Sequence, residues 1–242
     1  MATINSRDKF NLYWAKKINV IIVLCLCVCS GFSQTTEHRN LPNYDNNFLH
    51  YGFSVGANYS VFRLKHSDAF LTQDSFSSVR SIGTYSFSLG FILNMRLAEF
   101  FDLRLLPAVS FYNRKIKYNY SDPEVGELLL GFESSFIELP LVLKYKAQRR
   151  GNYRMYMIGG VKPGFAVGGN KDSKEERLSL PTRDFAIEAG FGLDIYYELF
   201  KFSPELRFSL GLVNLHDKIQ TPESQVMERL STYTVSLYFF FE

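Results

Sequence analysis

The stretch from Ser135 to Val167 limits this chain more than any other. Its first arm, FIELPLVLKYK, puts Ile137, Leu139, Leu141, Leu143 and Tyr145 on one parity and Glu138, Pro140, Val142, Lys144 and Lys146 on the other. A polar turn, Gln148-Arg149-Arg150-Gly151-Asn152, reverses the chain. The second arm alternates Tyr153, Met155, Met157, Val161 and Phe165 with Arg154, Tyr156, Gly160, Lys162 and Gly164. A period of two means strand, because successive side chains leave a strand on opposite sides. One face this apolar, opposite one bearing Glu, Lys and Arg, requires two different solvents. Lipid outside and a small polar lumen inside meet that requirement.

The alternation recurs along the chain. It predicts strands at Tyr51–Val61, Gly83–Met95, Phe101–Phe111, the two arms above, Phe185–Tyr197, Phe202–Leu212 and Tyr233–Phe241. Each is close to the 9–11 residues a tilted strand needs to cross the hydrocarbon layer. The links between them alternate in length. Those near Ala98-Glu99, Gln148–Asn152 and Glu198–Lys201 are tight, while those through Lys65–Asp74, Asn113–Glu133, Gly168–Arg183 and Asn214–Thr232 are long. The expected fold is therefore all-β: an eight-stranded antiparallel up-and-down transmembrane β-barrel with short periplasmic turns and long outer loops. Aromatic residues at strand ends predict two girdles, with Tyr51, Phe101, Tyr145, Tyr153, Tyr197, Phe202, Phe239 and Phe241 on the periplasmic side. Tyr59, Tyr85, Phe111, Phe165, Phe185 and Tyr233 make the outer one. Pro107, Pro140 and Pro163 fall inside strands and predict bulges or local breaks, because proline cannot donate to a ladder. The final strand ends YFFFE, so Glu242 departs from a terminal aromatic.

Export is expected from the N-terminus. Lys16 and Lys17 precede an apolar run, Ile18 to Cys29, that is too short to span a bilayer, and small residues around Gly31 and Ser33 suit a cut after Ser33. Residues 1–33 are thus expected to be a signal peptide, 34–48 a flexible periplasmic segment, and 49–242 the barrel. Cys25, Cys27 and Cys29 all lie in the signal, so disulfide and thiolate chemistry drop out of the mature chain. The formal charge of +3 is carried entirely by residues before Ile18, and the remainder balances, which argues against nucleic acid as a partner.

Catalysis finds little support. His38, His50, His66 and His216 are scattered, and His66-Ser67-Asp68 are adjacent in sequence, where a triad must converge from separate places. No set has metal-ligand spacing, and neither a cofactor nor a small-molecule substrate is expected. The candidate site is instead the lumen. Asp102, Arg104, Glu138, Lys144, Lys162, Glu188, Asp194, Glu205 and Arg207 share the inward parity. An eight-stranded barrel is filled by its own side chains, and buried charges persist there when paired. A structural ion-pair network is the leading reading, and a proton or small-ion path the alternative.

Four blocks carry a resemblance: NLPNYDNNFLHYGFSVGANY from Asn40, RLAEFFDLRLLPAVSF from Arg96, ESSFIELPLVLKYKAQRRGNYRMYMIGGVKP from Glu133 and FSPELRFSLGLVNL from Phe202. In these the chain resembles the PorT (SprT) family of barrel proteins of the type IX secretion and gliding-motility system. The resemblance implies an outer-membrane location, lipid and other type IX secretion components as partners, and a requirement in cargo export without catalytic residues. Two rival readings are a structural or adhesive barrel whose outer loops bind ligands, and a lipid-modifying barrel enzyme.

Overall fold

The structure, a computed structural model, describes residues 39–67, 76–121, 126–169, 183–215 and 227–242. The expected signal peptide, His38, His216, and the loop residues Asp68 and Asp74 lie outside the described residues. Eleven strand segments follow in order: β1 (Leu49–His66), β2 (Phe76–Ile82), β3 (Thr84–Arg96), β4 (Phe101–Leu105), β5 (Ala108–Tyr120), β6 (Glu127–Glu138), β7 (Leu141–Lys146), β8 (Tyr153–Gly169), β9 (Arg183–Tyr196), β10 (Lys201–Gly211) and β11 (Met227–Phe241). In three places two consecutive segments form one crossing (β2 with β3, β4 with β5, β6 with β7), which leaves eight crossings, each antiparallel to its neighbours.

The crossings close into a ring. Cross-strand partners run from Asn94 to Arg104, Val142, Gly160, Glu188, Ser209, Thr234 and Ser60, and return to the starting strand at Thr84, ten residues from the start. Such a stagger accompanies strong strand tilt in a closed barrel. β11 closes against β1 from Phe53–Phe241 to Lys65–Arg229, so the membrane-spanning sheet has no free edge there. Parity sorts the faces as alternation requires. Phe87, Leu141 and Phe208 are 51%, 42% and 38% exposed and face lipid, whereas Arg104, Glu138 and Glu205 are 0%, 4% and 1% exposed and face the lumen. Girdle rings meet across strands: Phe202 stacks on Phe239, and Phe101 meets Tyr145 and Tyr59 meets Tyr85 at a tilt.

The prolines interrupt the ladder without shifting it. β4 and β5 part at Leu106-Pro107, and β6 and β7 at Leu139-Pro140, yet the register on either side is the same. Pro163 stays within β8, opposite Phe185. Each proline keeps its acceptor: the N–H groups of Phe91, Leu106 and Leu139 donate to the carbonyls of Pro107, Pro140 and Pro163 at 2.9, 3.0 and 3.0 Å. Each therefore loses one rung of a two-bond pair and needs no bulge. Pro204 behaves alike, since the β9–β10 ladder skips it and resumes in register. A bulge does occur beside Gly83, where the β2–β3 crossing uses one residue more than β5 between the pairs Ile82–Lys115 and Phe87–Phe111. At Gly160 a Cβ would lie 2.2 Å from the Leu141 carbonyl oxygen, so the approach of β7 to β8 requires glycine.

Three of the expected outer loops are shorter than the sequence suggested. β1 continues to His66 and β2 begins at Phe76, β5 continues to Tyr120 and β6 begins at Glu127, and β11 begins at Met227. Beyond the membrane these extensions, with the ends of β1 and β2, enclose a second, apolar core. Phe62, Val79, Ile116, Tyr118, Leu215 and Leu230 are buried in it, with Leu64, Leu128, Leu130 and Phe132 packed against them. It caps the outer end of the lumen.

Candidate functional site: a filled lumen and its periplasmic plug

The inward faces of six of the eight crossings contribute to one chain of charges of alternating sign, and β1 and β3 add neutral polar groups such as Asn58, Ser60 and Asn94. Lys162 lies 3.1 Å from Glu138 and 3.5 Å from Glu188. Glu188 accepts from Arg207 at 2.9 Å, and Arg207 donates through its other side to Glu205. Glu205 pairs with Arg104 at 3.1 Å, Arg104 with Glu242 at 3.4 Å, and Glu242 with Lys201 at 3.0 Å. Two further pairs lie beside it, Lys144–Asp194 at 2.7 Å and Lys146–Asp102 at 2.6 Å. Remaining oxygens take neutral donors. Ser110 and Tyr112 donate to Glu138 at 2.6 and 2.9 Å, Ser209 to Glu188 at 2.6 Å, and Ser203 to Asp194 at 2.7 Å. Aromatic rings complete the cages: Lys144 sits 3.7 Å over Tyr156, and Arg207 4.7 Å over Tyr238.

All nine residues singled out from the sequence thus face one lumen, and each has an opposite charge within 3.5 Å. Desolvating so many charges is costly unless each is paired and hydrogen-bonded. The pairing supplies that condition and fills the space a conduit would need. A cavity at the periplasmic end is about 10 Å³, room for about one water.

The site also holds residues that sequence reasoning missed. Glu242 had looked like an anomaly after the terminal aromatics. It follows Tyr238 and Phe240 in parity, and its fully buried carboxylate joins Arg104 to Lys201. Lys201 shares parity with Glu205 and could have been found the same way. Tyr44 and Asp45 carried no signal at all, because they precede the first strand.

Those two residues belong to a plug. The sequence led us to expect a flexible segment over 34–48, yet the described part of it is held across the periplasmic mouth. Asn40 donates from its backbone N–H to Asn152 Oδ1 at 2.9 Å and from its side chain to the Tyr196 carbonyl at 3.0 Å, while Arg149 donates to the Asn40 carbonyl. A single 3-10 turn, Tyr44–Asn46, then enters the lumen. The Arg154 guanidinium grips the Asp45 carboxylate with two bonds of 2.8 and 2.7 Å, and Arg96 donates to the Asp45 carbonyl. Tyr44 stacks on His50, whose Nε2 lies 2.7 Å from the Tyr44 carbonyl oxygen, and donates its hydroxyl to Glu242 at 3.0 Å. Burial and the neighbouring Glu242 charge push the Tyr44 phenol far up, so it remains a donor. His50 is therefore part of the plug's seat.

The plug should respond to acid. Burial opposes ionisation of Asp45, but the Arg154 hydrogen bonds and charge, aided by Lys146 and Arg149, prevail and hold its carboxyl below the ordinary 3.8. A carboxyl depressed by docking stabilises the docked state above its free value and loses that contribution as pH falls through the docked value. Cleavage of the segment by an added protease should be slow at neutral pH and rise below pH 3.8. Asp45→Asn should raise neutral-pH cleavage roughly tenfold, in line with the loss of a partly buried charge-assisted pair, and flatten the acid response. An unchanged pH profile in that variant would mean that Asp45 does not hold the plug.

Comparison with known proteins adds the following. The profile of the family described as outer membrane protein beta-barrel domain matches residues 32–217. No curated protein matches the chain. Among solved structures, Neisserial surface protein A is similar over 80% of this chain and 98% of its own, at 8% identity and a TM-score of 0.43. OprG from Pseudomonas aeruginosa is similar over 80% and 91%, at 13% identity and 0.45. Ail of Yersinia pestis, solved with the heparin analogue sucrose octasulfate, is similar over 81% and 98%, at 12% identity and 0.36.

Proposed function

This chain belongs to the outer membrane protein β-barrel domain family, and from that premise we propose that it is a non-enzymatic outer-membrane component required for type IX protein secretion and linked gliding motility. In this reading it acts through contacts with other parts of the machine and does not conduct cargo. The observation that carries this is the filled lumen: an unbroken ion-pair chain from Glu138 to Lys201, with a plug at one end and an apolar core at the other. A barrel so occupied passes no folded protein. Its contribution to export then comes from its surfaces, which include the periplasmic plug region and the outer extensions. Secretion as the process rests on the four resembling blocks.

A deletion strain tests this directly. Secreted cargo should accumulate inside the envelope, envelope lipid should be unchanged, and export should return with the plasmid-borne gene. Normal export in the deletion strain would end the proposal. The adhesive reading has its own observation in its favour, the strands that run on past the outer aromatic girdle. It predicts intact export with loss of surface binding. A lipid-modifying enzyme predicts altered envelope lipid, and among the described residues the lumen carboxylates of the ion-pair chain are all engaged by cations.

A further inference from the structure

Above the outer aromatic girdle the two faces of the strands exchange character. Within the membrane the outward residues are apolar and the inward ones charged. Past Tyr59, Phe111 and Tyr233 the inward positions are Phe62, Ile116 and Leu230, 2%, 0% and 0% exposed. The outward positions beside them are Arg63, Lys115 and Arg229. Arg80, outward on β2, lies opposite Lys117 on β5. Lys65 and Lys117 are neutralised locally, by Glu228 and Glu127, each at 2.7 Å, and Arg229 is tied to the Leu212 carbonyl at 2.8 Å. Among the described residues no carboxylate pairs with Arg63, Arg80 or Lys115. Solvation of a strand end could be met by either sign of charge; of the outward residues here without an ion pair, Arg63, Arg80 and Lys115 lie on neighbouring strands, and the one carboxylate near them, Glu133, stands two residues closer to the girdle and accepts from Asn113 at 3.4 Å.

Their height is telling. Arg63 and Lys115 each stand four residues beyond a girdle aromatic, and Arg229 four residues before one. Four residues span about 13 Å along a strand, or about 10 Å along the membrane normal at a tilt of roughly 40°. The headgroup layer outside the hydrocarbon is about 5–8 Å deep on each side, and Lys and Arg stems can lie back along apolar surface while placing their charge at that level. We infer that Arg63, Arg80 and Lys115 form a binding surface for the phosphate groups of outer-leaflet lipid headgroups. It is continuous with the lipid-facing aromatic girdle and complementary to it: the rings set the depth, and the cations select a phosphate-bearing leaflet.

The test uses the full-length folded protein in nanodiscs of phosphatidylcholine containing either bisphosphorylated lipid A or the same lipid with its phosphates removed, with retained lipid counted by native mass spectrometry. Phosphorylated lipid A should be retained and the dephosphorylated form should not, and retention should weaken with added salt. At about fivefold per charge near a membrane surface, R63Q/R80Q/K115Q should weaken retention on the order of 100-fold while the folded band in gel electrophoresis is unchanged. If the triple variant fails to fold, R63Q and K115Q alone should each weaken it about fivefold. Equal retention of both lipids, or unaltered retention by the variants, would reduce the belt to ordinary solvation and overturn the inference. So would binding of inorganic phosphate, or of a sulfated oligosaccharide, to the lipid-free protein as tightly as lipid A binds, because the ligand would then come from solution.

Discussion

Replacing Arg207 with methionine should cost the folded barrel about 3–5 kcal/mol. Arg207 is the one cation that touches both Glu188 and Glu205, and it is 1% exposed. Without it, Glu205 keeps only Arg104 and Glu188 keeps only Lys162, which it shares with Glu138. Three carboxylates then face two cations in a space that water hardly enters. The loss would be read from urea unfolding of the barrel refolded in detergent micelles or bilayers. With a slope of about 1–3 kcal/mol per molar urea, the midpoint should fall by one to several molar. Adding Glu205→Gln to the variant should restore part of the loss, since it removes one of the stranded charges. A variant within about 0.5 kcal/mol of the parent would mean that the lumen is hydrated well enough to leave these charges solvated.

A second large effect concerns the opposite face. Leu141 points to lipid, four residues from the girdle aromatic Tyr145 and four from Ile137 near the outer boundary, so Leu141→Arg puts a guanidinium close to the bilayer midplane. The expected cost is about 2–4 kcal/mol. The same change at Ile82, outward on β2 beside the cations of the outer belt, should cost about 0–1 kcal/mol, the value for a site near the interface. Equal penalties at the two positions would contradict the depth assigned to the strands. The two substitutions together measure where the hydrocarbon begins, independently of any ligand.

How much of this was legible in the sequence differs from element to element. The eight crossings were, because Leu141 and Lys144, or Phe191 and Asp194, sit on opposite parities, and a membrane enforces that sorting along the whole strand. The outer extensions were not. Lys115, Ile116, Lys117 and Tyr118 still alternate, but with the apolar side turned inward, and Asn113–Glu133 therefore resembled a polar loop. The prolines were legible as breaks, although β8 runs on through Pro163 with the loss of one rung, and none of the three carries the bulge that lies at Gly83. Within the site, parity located the nine charges and would have located Lys201 and Glu242 had it been carried to the last residue. The plug was beyond reach. Asp45 meets Arg154 across 109 positions of chain, and a short polar segment with no period of its own gives no hint of the mouth it will occupy.

The double closure of the lumen bears on how many copies a cell can carry. An open pore taxes the permeability barrier each time another is inserted, and its abundance is held down by what leaks through. A stoppered cylinder packed with paired charge presents no such open pore. Its copy number can follow demand, bounded by membrane area and by the capacity to insert it.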